Sequence, residues 1–240
     1  MIILLRTLYI LALSFWTSGV HASEVLFSNV VATYTENLSS YDYWPPSQMI
    51  DGITTGKNGW SIARSYEISP ANPTLSETAL FTIAQPLTAG TASIDFTIYQ
   101  NYGGSHLLGD FSLGYTTDAS PTLTSLQTLL SITGASSQNG TTFTYPSIGE
   151  ILAGGPLPST DVYSISAIAN SSLPITGIFL NLIDNPNNGL GTGGPGRQPD
   201  NGNVAITEFT VSANVVPVPG AVWLFGTGLL GVLGLKRRKQ

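Results

Sequence analysis

The chain contains no cysteine, so it forms no disulfide, no thiolate metal site and no thiol nucleophile. Cations are nearly as scarce. Of the 8 Lys and Arg residues, Arg6 sits near the N-terminus, and Lys236, Arg237, Arg238 and Lys239 sit at the extreme C-terminus. Lys57, Arg64 and Arg197 are the cations in between, set against all 14 acidic residues. Such a surface repels phosphate backbones and anionic membranes, which excludes nucleic acid as a partner, and it attracts divalent cations. Histidine is limited to His21 and His106, too few for a histidine-rich metal centre. Gly-x-Ser-x-Gly, His-Glu-x-x-His and Walker motifs are missing as well. These absences point away from an enzyme, although a carboxylate pair for glycoside hydrolysis is decided by geometry and stays open as a remote alternative.

Long apolar runs occur only at the two ends. After Arg6, the stretch "TLYILALSFWTSGVHA" has the apolar core and small-residue finish of a secretory signal peptide over residues 1–22, with cleavage expected after Ala22. The chain closes with "VPVPGAVWLFGTGLLGVLGLKRRKQ". Residues 220–235 carry no charge and as a helix span roughly 24 Å, close to a hydrocarbon core of roughly 30 Å. Snorkelling stems of Lys236 and Arg237 close most of the gap, and Trp223 and Phe225 favour one interface. A transmembrane helix over 220–235 is expected, the alternative being a buried C-terminal helix.

This tail resembles the proline-first variant of the PEP-CTERM sorting signal of Gram-negative bacteria, with Pro motif, Gly-rich apolar span and basic end in that order. Val218 stands where the commonest form has Glu. The resemblance implies a membrane protease of the exosortase type that cuts near Val216 to Pro219, around Pro217 and Val218. The basic stop, Lys236, Arg237 and Arg238 with Lys239, would hold the chain in the inner membrane until then. The mature protein is then released to the cell surface or extracellular matrix.

Between the ends, apolar residues fall in short alternating runs. In "TASIDFTIYQ", Ile94, Phe96 and Ile98 share one side, while Ser93, Asp95 and Thr97 share the other. "EVLFSNVVATYT", "ALFTIA", "DFSLGYTTD", "DVYSISAIA", "ITGIFLNLID" and "NVAITEFTVSA" are likewise rich in β-branched and aromatic residues. Gly-, Pro- and Asn-rich turns separate them. The pattern predicts an all-β antiparallel sandwich over residues 23–214, followed by the sorting segment 215–240. Two segments break the alternation. "SPTLTSLQTLLSI" places Leu123, Leu126, Leu129 and Leu130 at helical spacing, and "SIGEILAGG" reads as one helical turn, so short helical insertions are expected. Residues 184–203 form a long Gly/Asn loop of the kind that often carries function.

Three motifs stand out: "MIDGITTGKNGW", "YQNYGGSHLLGD" and "GGPGRQPDNGN". Together they resemble the discoidin-like, galactose-binding-like jelly roll found in large exported bacterial proteins. That resemblance implies the fold and, more loosely, carbohydrate binding. It also implies a structural Ca²⁺ held by Asp51 and Glu208, with carbonyls near Thr54, Thr55 and Gly56, since calcium takes several oxygen ligands from a tight loop and distant carboxylates. The plain alternative is that Asp51 starts a turn and Glu208 is a solvated strand residue. Trp60 reads as core.

For ligand contact the candidates are Tyr41, Tyr43 and Trp44 in "SYDYWPPS", Tyr102 and His106 around the Gly-Gly turn, and Arg197. Aromatic faces stack on the apolar side of a sugar. The competing readings are that the aromatics plug one end of the core, that His106 is a packing residue, and that Arg197 braces its loop. The leading functional expectation is a non-catalytic, carbohydrate-binding or adhesive exported protein with extracellular polysaccharide as partner. The alternative is a purely structural matrix or biofilm protein.

Overall fold

The computed structural model describes residues 22–34, 36–38, 42–62, 76–185, 194–199 and 202–216. The signal segment up to His21, Tyr41, the sorting residues Pro217, Val218, Pro219, Lys236, Arg237 and Arg238, and the expected span 220–235 lie outside them. Among the described residues no helix is long and apolar enough to cross a membrane.

The described chain is an antiparallel β-sandwich. Its strands are β1 (Ser23–Glu24), β2 (Phe27–Ala32), β3 (Glu36–Leu38), β4 (Asp42–Trp44), β5 (Trp60–Ile62), β6 (Glu77–Leu87), β7 (Gly90–Gln100) and β8 (Asp110–Thr116). They continue as β9 (Thr128–Leu129), β10 (Ser131–Ser137), β11 (Thr142–Thr144), β12 (Glu150–Gly154), β13 (Asp161–Ser171), β14 (Ile175–Leu182), β15 (Val204–Ile206) and β16 (Glu208–Val216). One sheet runs β1-β16-β7-β13-β10, and the facing sheet runs β11-β12-β8-β14-β6-β2, with β9 also on β8. β5 pairs with β15 and β3 with β4 in two small ribbons.

The alternation read from β7 holds: Ala92, Ile94, Phe96 and Ile98 are buried, and the residues between them point outward. Central register sets Phe96 beside Ile165 and Val211. Phe209 of β16 stacks on Phe81 of β6 at 4.3 Å, and Phe27 and Phe96 close around the pair. These rings join the two sheets and supply much of the buried apolar area that stabilises the sandwich. β16 pairs through Val216, past the expected domain edge at Asn214, so the proposed processing site abuts a paired strand.

Both helical expectations are corrected. The segment after Asp118 turns at Thr122–Ser125, where the Thr122 N–H donates to Ser125 Oγ at 3.0 Å and the Ser125 N–H to the Thr122 carbonyl at 3.0 Å. It then enters β9 and β10. Leu126 is 82% exposed and Leu129 is exposed too, so no apolar helical stripe is buried. Ser and Thr bonding to nearby backbone competes with a helix, and without a buried face nothing restores it. "SIGEILAGG" is a turn leading into β12, where Ile151 and Ala153 point inward with period two. Gly149 (φ +76°) makes the turn, and a Cβ there would lie 2.9 Å from the Leu129 Cβ. The one helical element among the described residues is a 3₁₀ turn, Pro46–Ile50.

Candidate functional site

Two features lie close together where β7, β16 and the Asp51 loop meet. The first is an aromatic cluster. After β7 the chain turns through Gly103 (φ +107°), Gly104 (φ +61°) and Ser105 (φ +60°). Three successive left-handed residues are costly unless fixed, and Gly relieves the strain at two of them. Ser159 fixes them: its Oγ accepts the Gly104 N–H at 3.1 Å and its carbonyl accepts the Ser105 N–H at 3.0 Å.

The turn sets Tyr102 between two rings. Trp44 meets it edge-on at 5.1 Å and His106 edge-on at 4.9 Å. Trp44 is only 4% exposed, whereas Tyr102 is 36% exposed and forms the open part of the cluster. His106 Nδ1 lies 2.7 Å from the Gly103 carbonyl, which can only accept, so Nδ1 carries the hydrogen. In the neutral ring Nε2 is then the acceptor, suited to a hydroxyl.

Three of the residues singled out in the sequence, Trp44, Tyr102 and His106, are thus brought together. Tyr43 lies on β4, in a strand rather than the expected loop; its side chain, like Tyr41, is outside the described set. Trp60 is core, with its indole N–H donated to the Tyr34 carbonyl at 2.9 Å. Gln100 is buried, and its Oε1 accepts the Leu108 amide.

Arg197 is placed elsewhere. It is 4% exposed, and its guanidinium donates to the Gly155 carbonyl at 2.8 Å and to Thr141 Oγ1 at 3.3 Å. The bracing alternative for Arg197 therefore has direct contacts behind it.

The second feature is acidic. Glu208, opposite Tyr99 in the β16–β7 register, is buried and accepts the Gly52 N–H at 2.9 Å. Burial, and then the nearby charge of Asp51, push its carboxyl up to about 7, against hydrogen bonds from the Gly52 and Asp51 backbone that act the other way. Asp51 is exposed, and its Oδ1 accepts the Ile53 N–H at 2.9 Å and Asn58 Nδ2 at 3.1 Å. Asn58, which sequence reasoning passed over, also donates to the carbonyls of Gln48 and Ile53.

The residues present fit a calcium ion in part. The Asp51 charge raises the cost of ionising Glu208, and a cation beside them would offset it. No group of three or more His, Asp or Glu able to hold a metal occurs among the described residues, so carbonyls or water would complete the shell. The Thr54 carbonyl accepts from Asn101 Nδ2 at 2.9 Å, and it lies 2.9 Å from Thr207 Oγ1, whose single hydrogen it shares with the Tyr99 carbonyl at 3.1 Å. Thr54 thus serves as an internal acceptor. At Gly56 (φ +82°) a Cβ would meet nothing within 4 Å.

No protein-family model and no curated protein matches the sequence. Among solved structures, the chain is similar to the family 32 carbohydrate-binding module from Streptococcus pneumoniae EndoD, at 14% identity and TM-score 0.41, over 79% of this chain and 98% of that one. It is similar to the CBM32-1 and CBM32-2 domains from Clostridium perfringens ZmpB at 11% identity and TM-score 0.43, over 79% of this chain and 36% of that one. It is also similar to an F5/8 type C domain from Bacteroides fragilis at 13% identity and TM-score 0.43, over 81% of this chain and 98% of that one. All three are distant likenesses.

Proposed function

We propose that this is an exported, non-catalytic β-sandwich protein of galactose-binding-like type that binds carbohydrate through the Trp44–Tyr102–His106 cluster. The observation that carries the reading is the exposure of Tyr102 on a buried indole. A half-open ring, held edge-on from two sides, offers a rigid apolar platform to the C–H face of a sugar at little conformational cost. His106 beside it supplies a polar group for orientation. Asp51 and Glu208 would hold a Ca²⁺ that fixes the neighbouring loop. The two ends of the sequence support export and exosortase-type sorting to the cell surface or matrix.

A glycan array probed with the purified full-length chain tests the binding. The expected result is a defined set of bound glycans, with affinity lowered at least about tenfold in Tyr102→Ala, a loss of roughly 1.4 kcal/mol. Absence of binding to every glycan would favour a structural matrix protein.

A further inference from the structure

Both ends of the described chain leave the sandwich on the same side. The register of β16 on β7 runs from Glu208 opposite Tyr99 to Val216 opposite Thr91. β1 lies antiparallel to β16 with Ser23 opposite Ala213, so the chain at Ala22 heads toward the level of Val216. β13 reaches the same level with Ser171 opposite Gly90, and β6 does so with Leu87 opposite Ile175. Two turns therefore close this end, one between β6 and β7 and one between β13 and β14. The Trp44–Tyr102–His106 cluster follows the other end of β7, and from Thr91 to Tyr99 that strand runs roughly 26 Å.

Charge divides the two ends. Residues 84–91 and 170–176 contain no charged residue. Leu173, at the tip of its turn, is 56% exposed, and Pro86 and Pro174 are exposed too. Ser171 fixes that tip: its Oγ accepts the Leu173 N–H at 3.3 Å and donates to the Leu173 carbonyl at 2.6 Å. Leu26, 64% exposed, lies alongside, its carbonyl accepting the Ala84 N–H at 2.8 Å. Asp118, just past β8, is the one acid on this side among the described residues. Glu24 and Asp95 sit midway, both opposite Ser212. Asp51, Glu77, Asp110, Asp161 and Glu208 all lie at the far end.

Pro217, Val218 and Pro219 stand between Val216 and the uncharged run that begins at Gly220. From Val216 to Gly220 a chain reaches at most roughly 14 Å. With that run in a bilayer, the end of β16 is held close to the lipid surface. Anionic headgroups repel the acidic far end and flanks. A neutral tip with an aliphatic side chain meets the interface without giving up a hydrated charge. We propose that the turn end, with Leu173 and residues 86–90 at its centre, docks on the outer surface of the lipid bilayer while the tail is uncut. The sandwich then stands on the membrane and holds the aromatic cluster roughly 30 Å above it. The docking rests on the export and tail-anchoring reading above.

The absence of cysteine lets a single fluorophore be placed at a chosen site. The exported chain with its tail, Ser23 to Gln240, is reconstituted into vesicles of phosphatidylethanolamine and phosphatidylglycerol. It carries the label on Leu173→Cys, Thr88→Cys, Ser164→Cys, Thr55→Cys or Trp223→Cys in turn, and lipid spin-labelled at the headgroup is the quencher. Leu173, Thr88, Ser164 and Thr55 are exposed, so labelling leaves the core intact. Ser164 reports an outer sheet face and Thr55 the far end. Quenching at Leu173 and Thr88 should exceed that at Ser164 and Thr55 by about threefold or more, since roughly 20 Å or more of strand separates them. Leu173→Glu, added to the Thr88→Cys chain, should lower its quenching toward the Thr55 value.

Equal quenching at Leu173, Thr88, Ser164 and Thr55, or strongest quenching at Ser164 or Thr55, would overturn the docking. A quenched Trp223 label in the same vesicles would leave the tail-anchoring reading standing. Undiminished Thr88 quenching in the Leu173→Glu chain would show that the short tether alone holds this end near lipid, and that too overturns the docking. An unquenched Trp223 label would refute the anchoring itself, and the docking with it.

Discussion

The Glu208 carboxylate accepts the Gly52 amide hydrogen at 2.9 Å across 156 positions of sequence, so β16 is tied to the loop that follows the 3₁₀ turn by one buried acid. Burial and the Asp51 charge raise its carboxyl from 4.5 to about 7. A carboxyl with a folded pKa above its unfolded value binds its proton more tightly in the native chain. Stability is therefore lost as pH rises from about 4.5 through about 7. With chelator present, the melting temperature should fall across that window. Calcium should reverse the fall, by roughly 2.7 kcal/mol at a hundredfold excess over Kd, or about 2–4 °C for each kcal/mol. Glu208→Gln should flatten the slope and abolish the calcium effect. Some slope should remain, because burial also raises Asp110. A melting temperature in the wild type that ignores both pH and calcium would remove the metal site.

Processing is checked by mass. β16 stays paired through Val216, which places the expected tail cut immediately after the last strand. The mature secreted form should begin at Ser23 and end between Val216 and Pro219. An intact mature chain that still carries Trp223 and Lys236 would refute the sorting reading.

The strands were legible because their alternation is local. β7 announces its inward face through Ile94, Phe96 and Ile98, and β13 and β14 do so through β-branched residues. The leucine spacing around Leu126 misled for a physical reason. Periodicity states which side chains could share a helical face, not whether another surface exists to bury it, and Leu126 and Leu129 remain exposed. At the site, the residue types were legible and the connections were not. Nothing near Asn101 or Thr207 shows that both meet at the Thr54 carbonyl, since those bonds join segments far apart in sequence. Arg197 looked equally suited to ligand or brace until Gly155 and Thr141 were placed beside it.

Gly59 should tolerate no side chain. Its φ is +121°, and a Cβ would fall 1.9 Å from the Ile206 carbonyl oxygen, in backbone that cannot swing away. Gly59→Ala must push apart the β5–β15 ribbon that carries Trp60 and Ile206, at a cost on the order of 4 kcal/mol. Gly56→Ala is the comparison. It has a similar sign of φ, +82°, and nothing within 4 Å, so only the left-handed penalty of about 1–2 kcal/mol applies. Denaturant melts of the two variants should separate by about 2 kcal/mol or more. Equal losses would show that the ribbon yields.

Arg197 should matter to stability and not to sugar binding. Its backbone N–H donates to the Leu107 carbonyl at 2.7 Å, which anchors the glycine loop beside the segment between β7 and β8. Its guanidinium then reaches the Gly155 carbonyl and Thr141 Oγ1, and Thr141 in turn donates to Asp161 at 2.6 Å. Burial acts to raise Asp161, but donors from Ser137, Thr141, Asn139 and Val162 outweigh it and hold the carboxyl below its ordinary range. The arrangement thus joins β13, the β10–β11 turn and the glycine loop. Arg197→Met keeps the apolar stem and strips the donors, so the buried Thr141 hydroxyl keeps Asp161 but loses the guanidinium, at about 1–3 kcal/mol, while the exposed Gly155 carbonyl turns to water. The melting temperature should drop by several degrees, while the dissociation constant for any array-identified glycan stays within about twofold. Arg197→Lys, with its charge intact but without the planar fork, should fall between the two. A glycan affinity that collapses in Arg197→Met while the melting temperature holds would make Arg197 a ligand residue after all.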